Sequence, residues 1–387
     1  MKTKLLLILV VFLFLLPVSC IQQYWPDLGD KYDKLLVVDG TITNNPGPYT
    51  IKLSSSSSLD NPGWISYPGC VVTIICEDGT TESLTEQDPG VYLTSPQGIT
   101  GEIGKKYKIN IETPDGKIYE SSFEELKAPV ELDSVYTEIE YQVAEGLPHD
   151  LAGYRFYLDT KPALKDTNYL FWRLESTYEY HSDFLARYVY DNGQLSVFPQ
   201  SDSLFTCWRT NKIPELFIYG TSHLSKPVIK HFPLHFVSTE DRELAIRYSL
   251  LVSQLTITEA AYSYWDNLRR QNENQESLYT RQPYQIRGNI RNINNPDEPV
   301  LGYFLVAGVS EQRIFVGKPP LLFHYSVCEL TEADYDAMRF LRYSNKNEWP
   351  LYITTDKNYA LALPNQACID CRLKGGTNIK PDFWEDE

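Results

Sequence analysis

The sequence predicts a mainly β protein, in which a small N-terminal β-sandwich precedes a larger β-rich domain with one packed α-helix. Short runs rich in β-branched and aromatic residues recur about every 8–12 residues and end in Asp-Gly or Pro-Gly turns. The chain also holds 28 Tyr but only 2 Met, a composition typical of β proteins outside the cytoplasm. Its 387 residues leave room for two or three domains of about 100–200 residues each.

The first domain is predicted at residues 35–127. Its turns include the cluster Asn-Asn-Pro-Gly-Pro and the triplet Pro-Asp-Gly, which interrupt apolar runs and end strands. The strand candidates are residues 35–43, 49–54, 70–79, 83–94 and 106–122. Strands this short, at this spacing, predict the β-sandwich.

Residues 128–149 are predicted to be a crossover linker, because they contain Pro129 and the Gly-Leu-Pro triplet at 146–148. The linker leads into a second, β-rich domain at residues 150–387. Its strand candidates are residues 154–158, 168–177, 215–222, 243–258, 284–292 and 300–309.

One helix is predicted at residues 259–274. Thr258 can cap its first turn, where Glu259 also suits the helix dipole. Ala261, Tyr264 and Trp265 lie on one stripe at helical spacing, together with Leu268 one turn later. Such an aromatic stripe more often packs on a sheet than binds a ligand, so the helix should lie against the second domain.

The first twenty residues predict an exported protein. Two lysines precede twelve apolar residues at 5–16, fewer than the about 20 residues that a membrane-spanning helix needs, so residues 1–19 are interpreted as a signal peptide. Ser19-Cys20 then resembles a bacterial lipoprotein cleavage box, with Pro17 where such boxes usually have Leu. Cys20 is therefore the predicted lipidation site and residues 20–34 a tether. An ordinary cleaved signal and an uncleaved anchor are the alternatives.

The charge of the mature chain excludes nucleic acid as a partner. Removal of residues 1–19 takes away two lysines and leaves a formal charge of about −18. Such a body repels phosphate backbones and anionic headgroups. Lipid is the predicted contact with the membrane.

Catalytic and cofactor motifs are absent from the sequence: it has no G-x-S-x-G elbow, no H-E-x-x-H and no P-loop. His231 and His235 flank Pro233, which favours extended chain, where they would lie about 13 Å apart, too far to share a metal ion. We therefore predict a protein that is not an enzyme and has no cofactor or metal site. A hydrolase with an unrecognised site is the remaining enzyme alternative, because paired carboxylates cannot be found from their spacing along a chain.

Six cysteines remain once Cys20 is assigned to lipid, an even number that suggests disulfides in an exported chain. Cys70 and Cys76 flank one predicted strand and would lie about 20 Å apart, so they are poor partners for each other. We interpret both as buried thiols, which behave as small apolar side chains.

Cys368 and Cys371 allow three interpretations. A zinc site could add His324 and Cys328, but the segment FHYSVCEL is predicted to be a strand, which would hold those two side chains about 13 Å apart. A thioredoxin-like pair should open a helix, whereas Arg-Leu-Lys-Gly-Gly follows here and breaks one. Disulfides are favoured, with Cys207 and Cys328 as the partners, and would clasp the end of the chain to the second domain.

Five segments in order carry a family resemblance: LLVVDGTITNNPGPYTIKLS, DPGVYLT, YKINIETPDGKIYES, LGYFLVAG and CIDCRLKGGTNIKPDFW. Through them the chain resembles the domain of unknown function 4249 family of Bacteroidota lipoproteins, over nearly all of the mature chain. The resemblance implies an outer-membrane lipoprotein whose N-terminal domain is immunoglobulin-like or carboxypeptidase-regulatory-like. Genes of the family often lie near TonB-dependent receptors, which implies an accessory role in uptake. It implies no catalytic residues.

We accordingly expect a lipid-anchored outer-membrane protein that helps a TonB-dependent receptor capture or admit a ligand. Its alternative is a structural or assembly module that binds other envelope proteins. The sequence identifies neither the ligand and its binding residues nor the membrane face.

Overall fold

The computed structural model of the protein describes residues 34–57, 63–144, 146–162, 168–224, 226–274, 286–337, 339, 341 and 344–385. Strands dominate these residues, and one long helix packs on them. The predicted class, mainly β with one packed helix, is confirmed.

Ten short strands form in the first part of the chain, and Asp-Gly or Pro-Gly turns of the predicted kind follow three of them. Gly79, Gly90 and Gly116 follow Asp or Pro in these turns and have φ angles of 91°, 77° and 81°, which only glycine adopts without strain. The strands are β1 (Leu36–Thr43), β2 (Thr50–Ser55), β3 (Ile65–Ser66), β4 (Val71–Cys76), β5 (Thr81–Ser83), β6 (Thr85–Asp88), β7 (Val91–Leu93), β8 (Lys106–Glu112), β9 (Ile118–Ser121) and β10 (Glu124–Glu125).

The rest of the chain contains longer strands. They are β11 (Leu132–Gln142), β12 (Leu151–Thr160), β13 (Tyr169–His181), β14 (Tyr188–Asp191), β15 (Gln194–Val197), β16 (Thr206–Gly220), β17 (Phe232–Ser238), β18 (Arg247–Ile257), β19 (Ile290–Asn292), β20 (Leu301–Gly317), β21 (Leu351–Thr355) and β22 (Leu361–Ala362). The helices are α1 (Glu259–Asn274) and the short α2 (Glu332–Ala337).

The largest sheet has nine strands, which come from both of the predicted domains. Its order is β16-β13-β18-β20-β1-β2-β7-β6, with β3 beside β2. β1 pairs in parallel with β20, so that residues 37–43 lie opposite residues 301–307. Strands from the two predicted domains therefore share one sheet, while the domain bounds and the sandwich topology stay predictions.

Three smaller sheets pack around this one. A six-stranded sheet has the order β19-β9-β8-β4-β5, with β10 beside β8, and a three-stranded sheet has the order β11-β12-β17. A four-stranded sheet, β15-β14-β21-β22, lies towards the C-terminus.

The faces of the nine-stranded sheet support different cores. Residues of β1, β2 and β7 share one buried cluster with β4, β8 and β9 of the six-stranded sheet. On β13, successive side chains point to opposite faces: Trp172 packs in a core with the three-stranded sheet, whereas Phe171 packs in a core with α1.

Helix α1 has the bounds that the sequence predicts. The Ala261 amide donates a hydrogen bond to Thr258 Oγ1 at 3.2 Å, which is the expected cap. Ala261 and Tyr264 of the predicted stripe are buried against the sheet, and the ring of Trp265 stacks on Phe171 at 5.0 Å. The interpretation of this stripe as core packing is confirmed.

Two segments differ from their predicted form. The linker at residues 128–149 contains β11, an eleven-residue strand in which a register shift between Leu132 and Ser134 interrupts strict alternation. Leu132 and Val135 are therefore both buried although they lie three positions apart. Residues 318–331, predicted to include a strand, form none. Pro319 and Pro320 open this segment, and the His324 amide donates to the Thr239 carbonyl, outside any sheet ladder.

The predicted signal peptide, Cys20 and most of the tether lie outside the described residues, as do Asp386 and Glu387 of the acidic end. None of the helices in the described part of the chain combines the length and the apolar character needed to cross a membrane.

Candidate functional site

Four of the predicted site residues are joined in two disulfides. Cys207 on β16 binds Cys371, with Cα atoms 5.8 Å apart, and Cys328 binds Cys368, with Cα atoms 6.1 Å apart. These are the partners that the sequence favours. The bonds hold residues 366–377, which we call the C-terminal clasp, against β16 and against the 318–331 segment.

The other two interpretations of the Cys-x-x-Cys pair are wrong. A thioredoxin-like site needs Cys368 and Cys371 to pair with each other, but each is bonded to a distant cysteine. The proposed zinc ligands fail for the same reason, since their sulfur atoms are in disulfides, and His324 stacks on His149 instead. Cys70 and Cys76 are free and buried, as predicted.

A buried carboxylate supports the clasp from the nine-stranded sheet side. The side chain of Asp183 is 5% exposed and accepts hydrogen bonds from Arg242 Nη2 at 2.7 Å and Lys374 Nζ at 2.9 Å. The Asp183 amide donates to the Cys368 carbonyl at 2.9 Å. One acid, two residues beyond the end of β13, thereby joins the segment after β13 to the loop after β17 and to the clasp through charge-assisted bonds.

The clasp also pairs with the open edge of the nine-stranded sheet. Trp208 on β16 and Thr377 exchange two backbone hydrogen bonds, of 2.8 and 2.9 Å. Tyr180 Oη donates to the Cys371 carbonyl at 2.7 Å. Gly376 fits this contact because a Cβ there would lie 2.3 Å from Tyr180 Oη. The chain end thus covers part of an edge strand, which otherwise offers unpaired backbone groups to other chains.

Trp384 extends the contact between the C-terminal segment and the edge of the nine-stranded sheet. It is 4% exposed and meets Phe315 and Trp208 edge to face, with ring centroids 5.4 and 6.5 Å away. The C-terminal segment is therefore packed as a structural element beyond the two disulfides.

A polar cleft of about 450 Å³ opens beside the clasp. Strands β13 and β16, the loop after β17, the 318–331 segment and the clasp all contribute to its walls. Its lining residues are Tyr178, Tyr180, Arg209, Asn211, Glu240, Asp241, Arg242, Glu243, Tyr325, Ser326 and Lys374. We take this cleft as the candidate functional site, because clefts that combine aromatic walls with converging polar groups are the usual form of ligand sites.

The cations of the cleft differ in how they are paired. Arg242 and Lys374 are both bound to Asp183. Among the described residues, Arg209 donates to two neutral acceptors, the Lys374 carbonyl and Asn211 Oδ1, each at 3.2 Å. Among the described residues no carboxylate forms an ion pair with Arg209, so its guanidinium keeps its charge for a ligand.

Glu243 is the acidic counterpart of Arg209 in the cleft. It is half-buried in the cleft lining, and within the described chain it makes neither a hydrogen bond nor an ion pair. Burial raises the pKa of Glu243 above its ordinary value and outweighs the electrostatic influence of His235 and Arg209, which lowers it; the negative charge of Asp241 adds to the increase. The cleft therefore offers an unpaired guanidinium and an unpaired carboxyl group to a polar ligand.

Tyr178 and Tyr180 keep neutral hydroxyl groups at physiological pH, because burial raises the pKa of both. Burial raises the pKa of Tyr178 to about 12. Tyr325 forms another wall and lies under the guanidinium of Arg242, whose central carbon is 5.0 Å from the ring centroid. Flat rings and hydroxyl groups suit a ligand that carries hydroxyl, amide or charged groups.

Comparison with protein families places the chain in a family. The model of a family described as a domain of unknown function, DUF4249, matches residues 21–313, about three quarters of the chain. The chain belongs to the DUF4249 family. No curated protein matches it. The DUF4249 match covers β1 to β18, α1 and most of β20, while the clasp follows it in the sequence.

Most cleft residues of this DUF4249 protein could not be found from its sequence. Arg209, Glu243 and Tyr325 come from three separate elements and belong to no motif. The two histidines weighed as a metal pair are elsewhere: His235 lies on β17 and bonds Glu215 at 2.8 Å, and His231 stacks on a tyrosine. The one signal in the sequence was the cysteine pattern, which located the clasp that walls the cleft.

Proposed function

We propose that this DUF4249 protein is a non-enzymatic lipoprotein of the outer membrane that helps a TonB-dependent receptor capture or admit a ligand. In this proposal Cys20 carries the lipid, and the cleft beside the clasp holds the ligand. The acidic mature chain stands in water, and the lipid alone anchors it.

The observation that carries the proposal is the pairing state of the cleft. Arg209 and Glu243 face the cleft without an ion-pair partner among the described residues, although Asp183 nearby neutralises two cations. Leaving charged groups unpaired in a partly buried place costs stability, so such groups mark sites of binding. A polar ligand with an anionic group and a hydrogen-bond donor fits them.

The lipid anchor is tested separately. We expect cells that express the wild-type chain to incorporate labelled fatty acid into it and to hold it in the membrane fraction, and Cys20→Ala to abolish both. Cys70→Ala is the matched control, since Cys70 is buried in the first core and should not affect labelling. A Cys20→Ala protein that still carries label refutes the anchor.

The receptor partnership is tested by photocrosslinking in intact cells. A photoreactive residue is placed at Asn211 in the cleft lining, and a control at the exposed Thr80, in the turn between β4 and β5. We expect mass spectrometry to recover an outer-membrane receptor from the Asn211 position and less from Thr80. Recovery of no receptor from either position contradicts the proposal, and recovery of other envelope proteins favours the assembly role.

One observation favours hydrolysis as a second candidate function. Glu240, Asp241 and Glu243 gather in a concave site, and the raised pKa of Glu243 suits a general acid. Polar oligomers, glycans and peptides, incubated with the purified protein should be bound and recovered intact if the protein is a capture module. Cleavage by the wild-type protein that Glu243→Gln abolishes would establish the enzyme instead.

A further inference from the structure

Two histidines and a glutamate from three separate segments meet at the rim of the cleft. His149 lies in the turn before β12, Glu240 follows β17, and His324 belongs to the 318–331 segment. The ligand atoms of these three side chains all lie within 4.8 Å of one another. Convergence of this kind from distant parts of a chain is what a metal site requires.

The backbone of one residue fixes the three segments together. The Thr239 amide donates to the Ala152 carbonyl at 2.9 Å, and the Thr239 carbonyl accepts from the His324 amide at 3.0 Å. Thr239 is fully buried and directly precedes Glu240. The three side chains are therefore held near one another by main-chain bonds, whatever their own rotamers.

The three side chains lie almost as close together as the protein ligands of a metal ion do. His149 Nε2 lies 2.9 Å from Glu240 Oε1, and the His149 and His324 rings stack with centroids 3.8 Å apart and planes 17° from parallel. Zinc binds imidazole nitrogen and carboxylate oxygen at about 2.0–2.2 Å, which places tetrahedral ligand atoms about 3.4 Å apart. His324 is exposed, so its ring has room to rotate out of the stack. This rotation can bring a ring nitrogen closer to the other two ligand atoms.

We propose that His149, Glu240 and His324 bind a divalent transition-metal ion of the zinc class. Two imidazoles with one carboxylate suit such ions, whereas calcium and magnesium prefer sites made of oxygen atoms. Three protein ligands leave a coordination position open. Because Glu240 also lines the cleft, a molecule held there can complete the coordination.

The surrounding charge supports a cation at this place. Asp150 and Asp241 are exposed and directly follow His149 and Glu240 in the sequence, so two more carboxylates raise the local concentration of cations. The site does not depend on the transport role: it holds if the protein binds a metal ion and no receptor.

The test is metal titration of the purified mature chain, freed of metal by a chelator and kept under non-reducing conditions. We expect calorimetry with ZnCl₂ to show one saturable site per chain. With CoCl₂, we expect visible absorption typical of nitrogen and oxygen ligands. His149→Ala, Glu240→Gln and His324→Ala should each weaken binding about 10–100-fold or more, since even outer partners of metal ligands contribute that much.

His235→Ala is the matched control, because His235 on β17 and Glu215 on β16 form a similar pair, 2.8 Å apart, outside the proposed site. It should bind zinc as the wild type does. Circular dichroism checks folding, and His324→Ala, altered at an exposed side chain, decides the matter if His149→Ala does not fold. The proposal is overturned by absence of saturable binding, by equal binding in the wild type and His324→Ala, or by a thiolate charge-transfer band with Co²⁺.

Discussion

At the scale of single residues, Glu243 shows that the candidate site lowers the stability of the folded chain. Its carboxyl group is half-buried, and no hydrogen bond or ion pair among the described residues compensates for the lost hydration. Asp183, close by in the fold and more deeply buried, is compensated by Arg242 and Lys374. Two acids of similar chemistry therefore have opposite effects, because one has partners and the other is left for a ligand.

The first prediction concerns Glu243→Gln. Burial raises the pKa of Glu243 in the folded chain above its ordinary value of 4.5, so the folded state holds the proton more tightly than the unfolded state. Stability is therefore lost as the pH rises through the folded pKa. Because glutamine stays neutral, we expect Glu243→Gln to raise the urea midpoint at pH 7.

The gain in the urea midpoint should shrink as the pH falls towards 4.5 and vanish below it, since both states of the wild type are then protonated. Glu329→Gln, an exposed substitution, serves as the control and should leave the midpoint unchanged at every pH. A Glu243→Gln protein that is less stable than the wild type at pH 7 would mean that the carboxylate has a stabilising partner.

What the sequence could predict of the site follows from the chemistry of each residue. Cysteines in an exported chain have few roles, so Cys207, Cys328, Cys368 and Cys371 could be assigned together. A carboxylate or a guanidinium has many roles, and 51 acids offer no basis for selecting Glu243. The sequence suggests the wrong neighbours for His324, because the residues that surround it lie more than 80 positions earlier in the chain and only the fold brings them close.

At the scale of elements, the clasp shows how a segment with little regular structure is held in place. Its 3₁₀ turns are short, and each is capped by its own side chain: Asn365 accepts from the Ala367 amide, and Asp370 accepts from the Arg372 amide. Gly375 then turns the chain with a φ of 87°. The turns, the disulfides and the Trp208 bridge together align the clasp with β16.

Removal of the Cys207–Cys371 disulfide should destabilise the protein. The bond spans 164 residues and the Cys328–Cys368 bond spans 40. Chain entropy predicts losses of about 2–5 kcal/mol in the free energy of unfolding, larger by about 1 kcal/mol for the longer loop. We therefore expect urea unfolding to show a larger loss of stability for the double variant Cys207→Ala/Cys371→Ala than for the double variant Cys328→Ala/Cys368→Ala. The reverse order would show that local contacts outweigh loop length.

Gly376→Ala should displace the clasp without touching a disulfide. A Cβ at this position would lie 2.3 Å from Tyr180 Oη and 2.9 Å from the Trp208 carbonyl, and the latter is backbone that cannot easily move. We expect a loss of about 1–3 kcal/mol, typical of overpacking, and faster proteolysis of the C-terminal segment. Gly63→Ala is the matched control, since no heavy atom lies within 4 Å of its Cβ position. Equal resistance to protease in the two variants would contradict the close contact.

At the scale of the whole molecule, the parallel pairing of β1 with β20 decides the architecture. The individual strands and α1 could be predicted from alternation, turns and a cap, because these signals are local. The pairing joins residues about 260 positions apart, and no local pattern specifies such a partner. For the same reason, the sequence placed a domain boundary between segments that contribute to one sheet.

This shared sheet predicts that the two halves unfold together. Phe304 on β20 is fully buried and lies in the core formed with the strands of the first 126 residues. Phe304→Ala should therefore cost about 3–5 kcal/mol in the free energy of unfolding. We expect hydrogen exchange, followed by mass spectrometry, to show faster exchange in β4 and β8 as well as in β20 and β18, with a single calorimetric transition at a lower temperature.

Leu322→Ala, at a side chain that is 79% exposed, is the matched control and should change neither measurement. Loss of protection in β18 and β20 alone, with β4 and β8 unchanged, would mean that the chain folds as the two separate units at residues 35–127 and 150–387. A joint loss would mean instead that β20 transmits stability between them. In that case the cleft at one end of the nine-stranded sheet and strand β1, which follows the proposed lipid anchor in the sequence, belong to one cooperative unit.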